Sequence, residues 1–164
     1  MSKTTITANG QTKNLSLEPR RLLADVLRED FRLSGVHIGC AHGACGACTV
    51  HVDGVPRLSC LTFAVQCDGA EINTVESLGG DDAHHLLQRA FREEHGLQCG
   101  YCTPGFLMTM APYVEEMAAQ DRMPEDAEIR HAMSGNICRC TGYQSIVAAV
   151  RLAITQRRNG ESTQ

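Results

Sequence analysis

Eight of the nine cysteines in this chain fall into two sets of four. Thiolate sulfur binds both zinc and the iron of iron-sulfur clusters, and four thiolates complete the ligand set of either kind of site. The spacing therefore predicts two separate metal centres. We call them the first site (Cys40, Cys45, Cys48 and Cys60) and the second site (Cys99, Cys102, Cys138 and Cys140).

The first site lies in a loop of very small residues. Every residue between the ligands from Cys40 to Cys48 is glycine or alanine, except His42, so the backbone can approach a metal cluster closely. The spacing is C-x4-C-x2-C, with a fourth cysteine after eleven intervening residues. It resembles the spacing of a plant-type ferredoxin, which holds one [2Fe-2S] cluster.

The second site combines two close cysteine pairs that lie far apart in the chain. Thirty-five residues separate Cys102 from Cys138. Each pair comes just before a predicted helix, and Pro104 suits a first helical turn. The positive ends of two helix dipoles would favour an anionic site, so we expect two loops and two helix N-termini to meet here.

Zinc and disulfides are the alternatives to iron. Structural zinc sites also use cysteine pairs, usually about two to four residues apart, whereas one residue separates Cys138 from Cys140. Disulfides need an oxidising compartment, and residues 1–17 lack the apolar run of a signal peptide. A zinc-stabilised structural or adaptor protein with two four-cysteine sites is therefore the alternative function.

Three motifs, in this order, resemble the iron-sulfur subunit of the xanthine oxidase family of molybdenum hydroxylases. They are Gly39-Cys40-x4-Cys45-Gly-Ala-Cys48, Leu97-Gln98-Cys99-Gly-Tyr-Cys102-Thr-Pro-Gly105 and Gly135-Asn136-Ile-Cys138-Arg-Cys140-Thr-Gly142-Tyr143. A chain of this size is similar to the separate small subunit of the bacterial heterotrimeric members, such as carbon monoxide dehydrogenase.

The resemblance implies an electron-transfer subunit with no catalytic residue and no substrate chemistry of its own. Electrons would pass one at a time from a molybdopterin centre through two [2Fe-2S] clusters, held by the eight cysteines, towards FAD. Gln98 and Cys140 match the positions that contact the pterin. Molybdopterin, expected as the cytosine dinucleotide, would lie on a large partner subunit and FAD on a medium one, in a dimer of heterotrimers.

The segments that must position the first site have strand and turn signals. Alternating residues predict strands over 3–8 and 13–17 around an Asn9-Gly10 turn. A helix is predicted over 20–30, a strand over 49–52, a return segment that carries Cys60, and a last strand over 70–74. Together with the resemblance, this order predicts a β-grasp, plant-type ferredoxin domain in residues 1–78.

Helical periodicity dominates after Ser77 and predicts helices over 83–95, 105–119, 125–133 and 143–157. The predicted fold class is therefore α+β, with the ferredoxin domain followed by a four-helix-bundle [2Fe-2S] domain in residues 79–164. Pro112 has no N–H to donate and is expected to kink or divide the second of these helices.

Composition excludes other classes of function. The net charge of −4 and the scattered arginines argue against nucleic-acid binding. No apolar run approaches the roughly twenty residues that a membrane helix needs, and we expect a cytoplasmic protein. We expect His42, His84 and His85 to be exposed or helix-capping, and the remaining cysteine, Cys67, to be a buried thiol.

Overall fold

Residues 2–17 form the antiparallel hairpin that their alternating sequence predicts. The computed structural model describes residues 1–79 and 85–160, and its first strands are β1 (Ser2–Ala8) and β2 (Gln11–Leu17). Asn9 and Gly10 both have positive φ angles, 48° and 79°, as a type I′ turn requires. Alternate residues of β1, among them Ile6, are buried on one face of the sheet.

The strands of the described residues form one mixed sheet in the order β2-β1-β5-β3-β4. β3 (Thr49–Val52) pairs antiparallel with both β4 (Val55–Leu58) and β5 (Glu71–Asn73), and β5 runs parallel to β1. The helix α1 (Leu23–Glu29) shares a hydrophobic core with this sheet, which we call the sheet core. The helix begins later than predicted because Leu22 forms a β-bridge with Phe63.

Four helices follow within residues 85–160 and bury their apolar faces in a second core, the helix core. They are α2 (Leu86–Glu93), α3 (Thr103–Ala118), α4 (Asp126–Ala132) and α5 (Gln144–Arg158). His85 caps α2, because its Nδ1 accepts from the backbone N–H of Leu87 at 3.2 Å. The predicted start of this helix at Ala83, and His84, lie outside the described residues. The predicted α+β class is confirmed.

Pro112 lies inside α3 but does not divide it, since the helix runs unbroken from Thr103 to Ala118. A proline cannot donate to the carbonyl four residues earlier, which here belongs to Met108. His51 Nε2 lies 2.6 Å from that oxygen and replaces the missing helical donor. The sheet thus supplies a hydrogen bond that the sequence of α3 cannot.

The two cores meet where α3 approaches the loop that carries the first site. A Cβ atom added to Gly105 would lie 2.2 Å from the carbonyl oxygen of Gly46 and 2.8 Å from the Cα of Ala47. Both of these are backbone atoms that a side-chain rotation cannot move away. The close approach of helix and loop therefore requires glycine at position 105.

None of the helices in the described residues combines the length and the apolar character that crossing a bilayer requires.

We expect Gly105→Ala to destabilise the protein. An alanine would ordinarily stabilise a helical position by about 1 kcal/mol relative to glycine. Here the added methyl group would force α3 away from Gly46, at a cost of about 2 kcal/mol. Urea or thermal unfolding measures the change. Gly135→Ala is the matched control, because a Cβ at Gly135 meets nothing within 4 Å. Equal stability of the two variants would contradict the packing argument.

Candidate metal centres

The first site is assembled from one loop and one turn. Cys40, Cys45 and Cys48 lie in the loop that leads into β3, and Cys60 lies in the 3-10 turn Ser59–Leu61 that follows β4. The Cys45 thiol contacts the Cys40 sulfur, and the Cys48 thiol contacts the Cys60 sulfur. The antiparallel return of β4 along β3 therefore brings all four predicted ligands together, as two pairs of thiols.

Backbone donors make one thiol of this site acidic. The N–H of His42 is the main cause that lowers the pKa of Cys40 to about 6, assisted by the N–H groups of Cys45 and Ala44 and opposed by desolvation. A low pKa favours the thiolate, which is the form that binds metals. His42 itself is exposed, and its Nδ1 lies 2.7 Å from the Cys40 carbonyl oxygen.

The buried Cys60 thiol of the first site has the opposite tendency. Burial, followed by the adjacent Cys48, raises the pKa of Cys60 to about 11, although the N–H of Gly43 opposes the shift. Gly43 has a φ of 82°, and an added Cβ would lie 2.4 Å from the Leu61 side chain. The buried Cys60 thiol therefore resists ionisation, and a bound cation would remove this penalty.

The second site lies at the starts of two helices, as predicted. Cys102 is the N-cap residue of α3, and Cys138 and Cys140 lie in the loop just before α5. The sulfurs of Cys99 and Cys140 are 3.6 Å apart, and Cys102 contacts Cys138. This site therefore also contains two pairs of thiols, contributed by loops that are far apart in the sequence.

Thr141 is the principal neighbour of the buried Cys138 sulfur. Its hydroxyl lies 3.2 Å from that sulfur and its backbone N–H 3.5 Å. The hydroxyl oxygen accepts from the backbone N–H of Tyr143 at 3.2 Å, which leaves its own hydrogen to point at the sulfur. Burial acts to raise the pKa of Cys138, but these hydrogen bonds lower it overall.

The Cys102 thiol, which contacts Cys138, is much less acidic. Burial, then the hydrogen bond and charge of Cys138, raises the pKa of Cys102 to about 12. The pKa of Cys140 is also raised, mainly by its contact with Cys99. Each pair of thiols thus holds a proton that a metal would displace.

The paired arrangement fits diiron clusters. In a [2Fe-2S] cluster four cysteines serve two irons, two to each iron. Among the described residues, no three His, Cys, Asp or Glu side chains are grouped as the ligands of one metal ion would be. All nine cysteines are free of disulfide bonds in the structure. Two pairs at each site suit two irons better than one zinc ion.

The two sites are linked directly by backbone and side-chain contacts. The N–H of Ile137 donates to the carbonyl of Cys45 at 3.0 Å. Ile137 is the neighbour of Cys138 in the second site, and Cys45 lies in the loop of the first site, so this hydrogen bond joins the two sites. Tyr101 stacks on His37 at 4.7 Å and donates from its hydroxyl to the Ile38 carbonyl. These contacts hold the loops of the two sites side by side.

Gln98 and Cys140 lie at the surface, where a partner could reach them. Cys99 is also exposed, whereas Cys138 is 7% exposed, so the second site has an outer and an inner pair of thiols. Arg139, between two cysteines, is exposed as well.

Some functional contacts could not be found from the sequence. Thr141 and Tyr143 were part of a motif but had no assigned role, and Tyr143 proves to accept the Cys138 backbone N–H at 3.0 Å. His51 carried no signal at all, because its partner lies 57 residues away. Cys67 is a thiol of the sheet core, as expected, and burial is the main cause that raises its pKa.

Two family models match the chain. Residues 23–86 match a 2Fe-2S iron-sulfur cluster binding domain, and residues 74–151 match a [2Fe-2S] binding domain. The two matches contain the first and second sites respectively. The chain therefore carries two [2Fe-2S] clusters.

Two relatives match over most of their length. The chain is 51% identical to the gamma subunit of caffeine dehydrogenase from Pseudomonas sp. (strain CBB1), over 89% of this chain and 87% of the relative. It is 45% identical to the small FeS subunit of nicotinate dehydrogenase from Eubacterium barkeri, over 97% and 100%.

A solved structure agrees with these matches. The chain superposes on a chain of quinoline 2-oxidoreductase from Pseudomonas putida 86 with a TM-score of 0.87 and 44% identity, covering 98% of each chain. These comparisons give no support to a zinc-stabilised adaptor.

We expect Thr141→Val to lower the reduction potential of one cluster only. A hydrogen bond to a ligand sulfur stabilises the more negative, reduced cluster, so its removal should shift a one-electron potential by about 50 mV, for a bond of about 1 kcal/mol. Thr141→Ser keeps the hydroxyl and is the control. Redox titration followed by EPR spectroscopy measures both potentials. Equal shifts in the two variants would show that the hydroxyl is not responsible.

Proposed function

Because this chain belongs to the small iron-sulfur subunits of the xanthine oxidase family of molybdenum hydroxylases, we propose a specific electron route through it. Electrons enter at the second site, pass to the first site and leave towards FAD. The chain is a subunit of an oxidoreductase complex and needs no substrate chemistry of its own. The clusters supply one-electron reduction and oxidation, and the protein supplies their ligands, burial and hydrogen bonds.

We assign the ligands by the pairing of the thiols. Cys40 with Cys45 and Cys48 with Cys60 would each hold one iron of the first cluster, since these thiols contact each other. Cys99 with Cys140 and Cys102 with Cys138 would do the same in the second cluster. The single observation that carries the proposal is this formation of two thiol pairs at each of two adjacent sites.

The contact between Ile137 and Cys45 supports direct transfer between the sites. A short chain of bonds leads from the Cys45 carbonyl across one hydrogen bond to Ile137, whose next neighbour is Cys138. Two of the proposed ligands are therefore joined through the backbone, and a separate mediator between the clusters is unnecessary.

The exposure of the second site supports its assignment to the molybdenum side. We propose that Gln98 and Cys140 contact the pterin on a large subunit, because both are at the surface: Cys140 belongs to the outer thiol pair, and Gln98 directly precedes its other member, Cys99. The first site would then face a medium, FAD-binding subunit in a dimer of heterotrimers. The relatives are named for caffeine and nicotinate, so we propose that the partners, and not this chain, determine the substrate.

We further propose that residues 1–78 form a β-grasp, plant-type ferredoxin domain and that residues 79–164 form a helical [2Fe-2S] domain. The separate sheet and helix cores support this division. A molybdopterin cytosine dinucleotide on the large subunit and a cytoplasmic location complete the proposal.

Metal analysis tests the ligand assignment. We expect about four irons per chain with an equal amount of acid-labile sulfide, and two distinguishable EPR signals after reduction. Cys138→Ser should perturb one signal and leave the other, because the two sites share no cysteine. Cys67→Ser is the matched control and should change neither signal. Colourless protein that contains zinc and no iron would contradict the proposal.

A second prediction concerns Gln98. Gln98→Ala should leave the iron content unchanged but slow the reduction of the second-site cluster by substrate by roughly fivefold, because one hydrogen bond contributes about 1 kcal/mol. Gln11→Ala, an exposed glutamine on β2, is the control. Stopped-flow measurements on the assembled complex give the rate. Unchanged reduction in the Gln98 variant would exclude a role for this side chain at the pterin.

A further inference from the structure

The contact between His51 and Met108 joins the two elements that start at the two sites. β3 begins at Thr49, directly after Cys48, and α3 begins at Thr103, directly after Cys102. Any bond that fixes β3 against α3 therefore also fixes Cys48 relative to Cys102. The hydrogen bond from His51 Nε2 to the Met108 carbonyl, at 2.6 Å, is such a bond.

The Met108 carbonyl can accept this hydrogen bond because Pro112 lies four residues later in α3. A carbonyl inside a helix normally accepts from the N–H four residues later, and at Met108 that residue is Pro112, which has none. Met108 is 1% exposed, so solvent does not reach this residue. A carbonyl oxygen can only accept, and His51 Nε2 must therefore carry the hydrogen. The sequence of α3 thus creates a binding point for a donor from outside the helix.

The donor is held by a rigid element. β3 is bordered on both sides, since His51 pairs with Pro56 of β4 and with Asn73 of β5. Thr49, two residues earlier, donates from its hydroxyl to the Gly46 carbonyl, against which Gly105 of α3 packs. The histidine and the glycine contact therefore secure α3 to the same strand and loop at two successive points.

We propose that His51 is a positioning residue for electron transfer between the clusters. By donating to the carbonyl that Pro112 leaves without a helical donor, it fixes the spacing of the two sites. Electron tunnelling falls steeply with distance, so a small movement of α3 relative to β3 would slow the transfer. The inference rests on the proposed function, because it requires a cluster at each site.

His51→Leu and His51→Gln in the assembled complex form the first test. Leucine removes the donor, whereas glutamine keeps an N–H. We expect both variants to retain iron and sulfide. In His51→Leu the spin-spin splitting between the two reduced clusters should change, and electron equilibration between them should slow several-fold. His51→Gln should stay close to the parent. A parental splitting and rate in His51→Leu would overturn the inference.

Pro112→Ala separates positioning from simple stability. Alanine restores a helical N–H for the Met108 carbonyl, so the double variant His51→Leu/Pro112→Ala should regain thermal stability but not the parental splitting. Recovery of both would show that His51 only satisfies a helix carbonyl, and would overturn the inference. If His51→Leu does not fold, the splitting of the double variant is compared with that of Pro112→Ala alone. Absence of two cluster signals in the parent complex would instead contradict the proposed function.

Discussion

The close backbone approach at Gly46 is the constraint on which the rest of the molecule depends. Its carbonyl accepts from the backbone N–H and hydroxyl of Thr49 and from the side-chain amide of Asn136. Gly46 has a φ of 71°, and an added Cβ would lie 2.4 Å from the Gly135 carbonyl. The first-site loop, the second-site loop and α3 all meet at this residue, so a side chain here would separate the two sites.

The second constraint is electrostatic. Each site gathers four thiols into a small volume, and ionising them side by side is unfavourable without compensating charge. The protein supplies N–H groups around Cys40 and hydrogen bonds to Cys138, while the inner thiols Cys60 and Cys102 have raised pKa values. A bound metal would displace the remaining protons and remove this penalty, and the fold already holds the thiols in pairs for it.

Local signals predicted most of the secondary structure. The hairpin followed from its alternation and its Asn9-Gly10 turn, and β3 was predicted with the bounds that it has. The errors came from tertiary contacts. The start of α1 was misplaced because Leu22 joins Phe63, and no local signal predicted that His51 donates to the carbonyl that Pro112 leaves without a helical donor. No local signal predicted the parallel pairing of β5 with β1, because nothing local encodes which strands become neighbours.

The sequence by itself indicated two sites and the eight cysteines that we propose as their ligands, since metal ligands are restricted to a few side chains at restricted spacings. It could not determine that the thiols associate in pairs, that Thr141 donates to a sulfur, or that the Ile137 N–H reaches Cys45. These contacts join residues on different loops, and their geometry exists only after the two cores have packed together. Which atoms connect the sites was therefore decided by the tertiary structure alone.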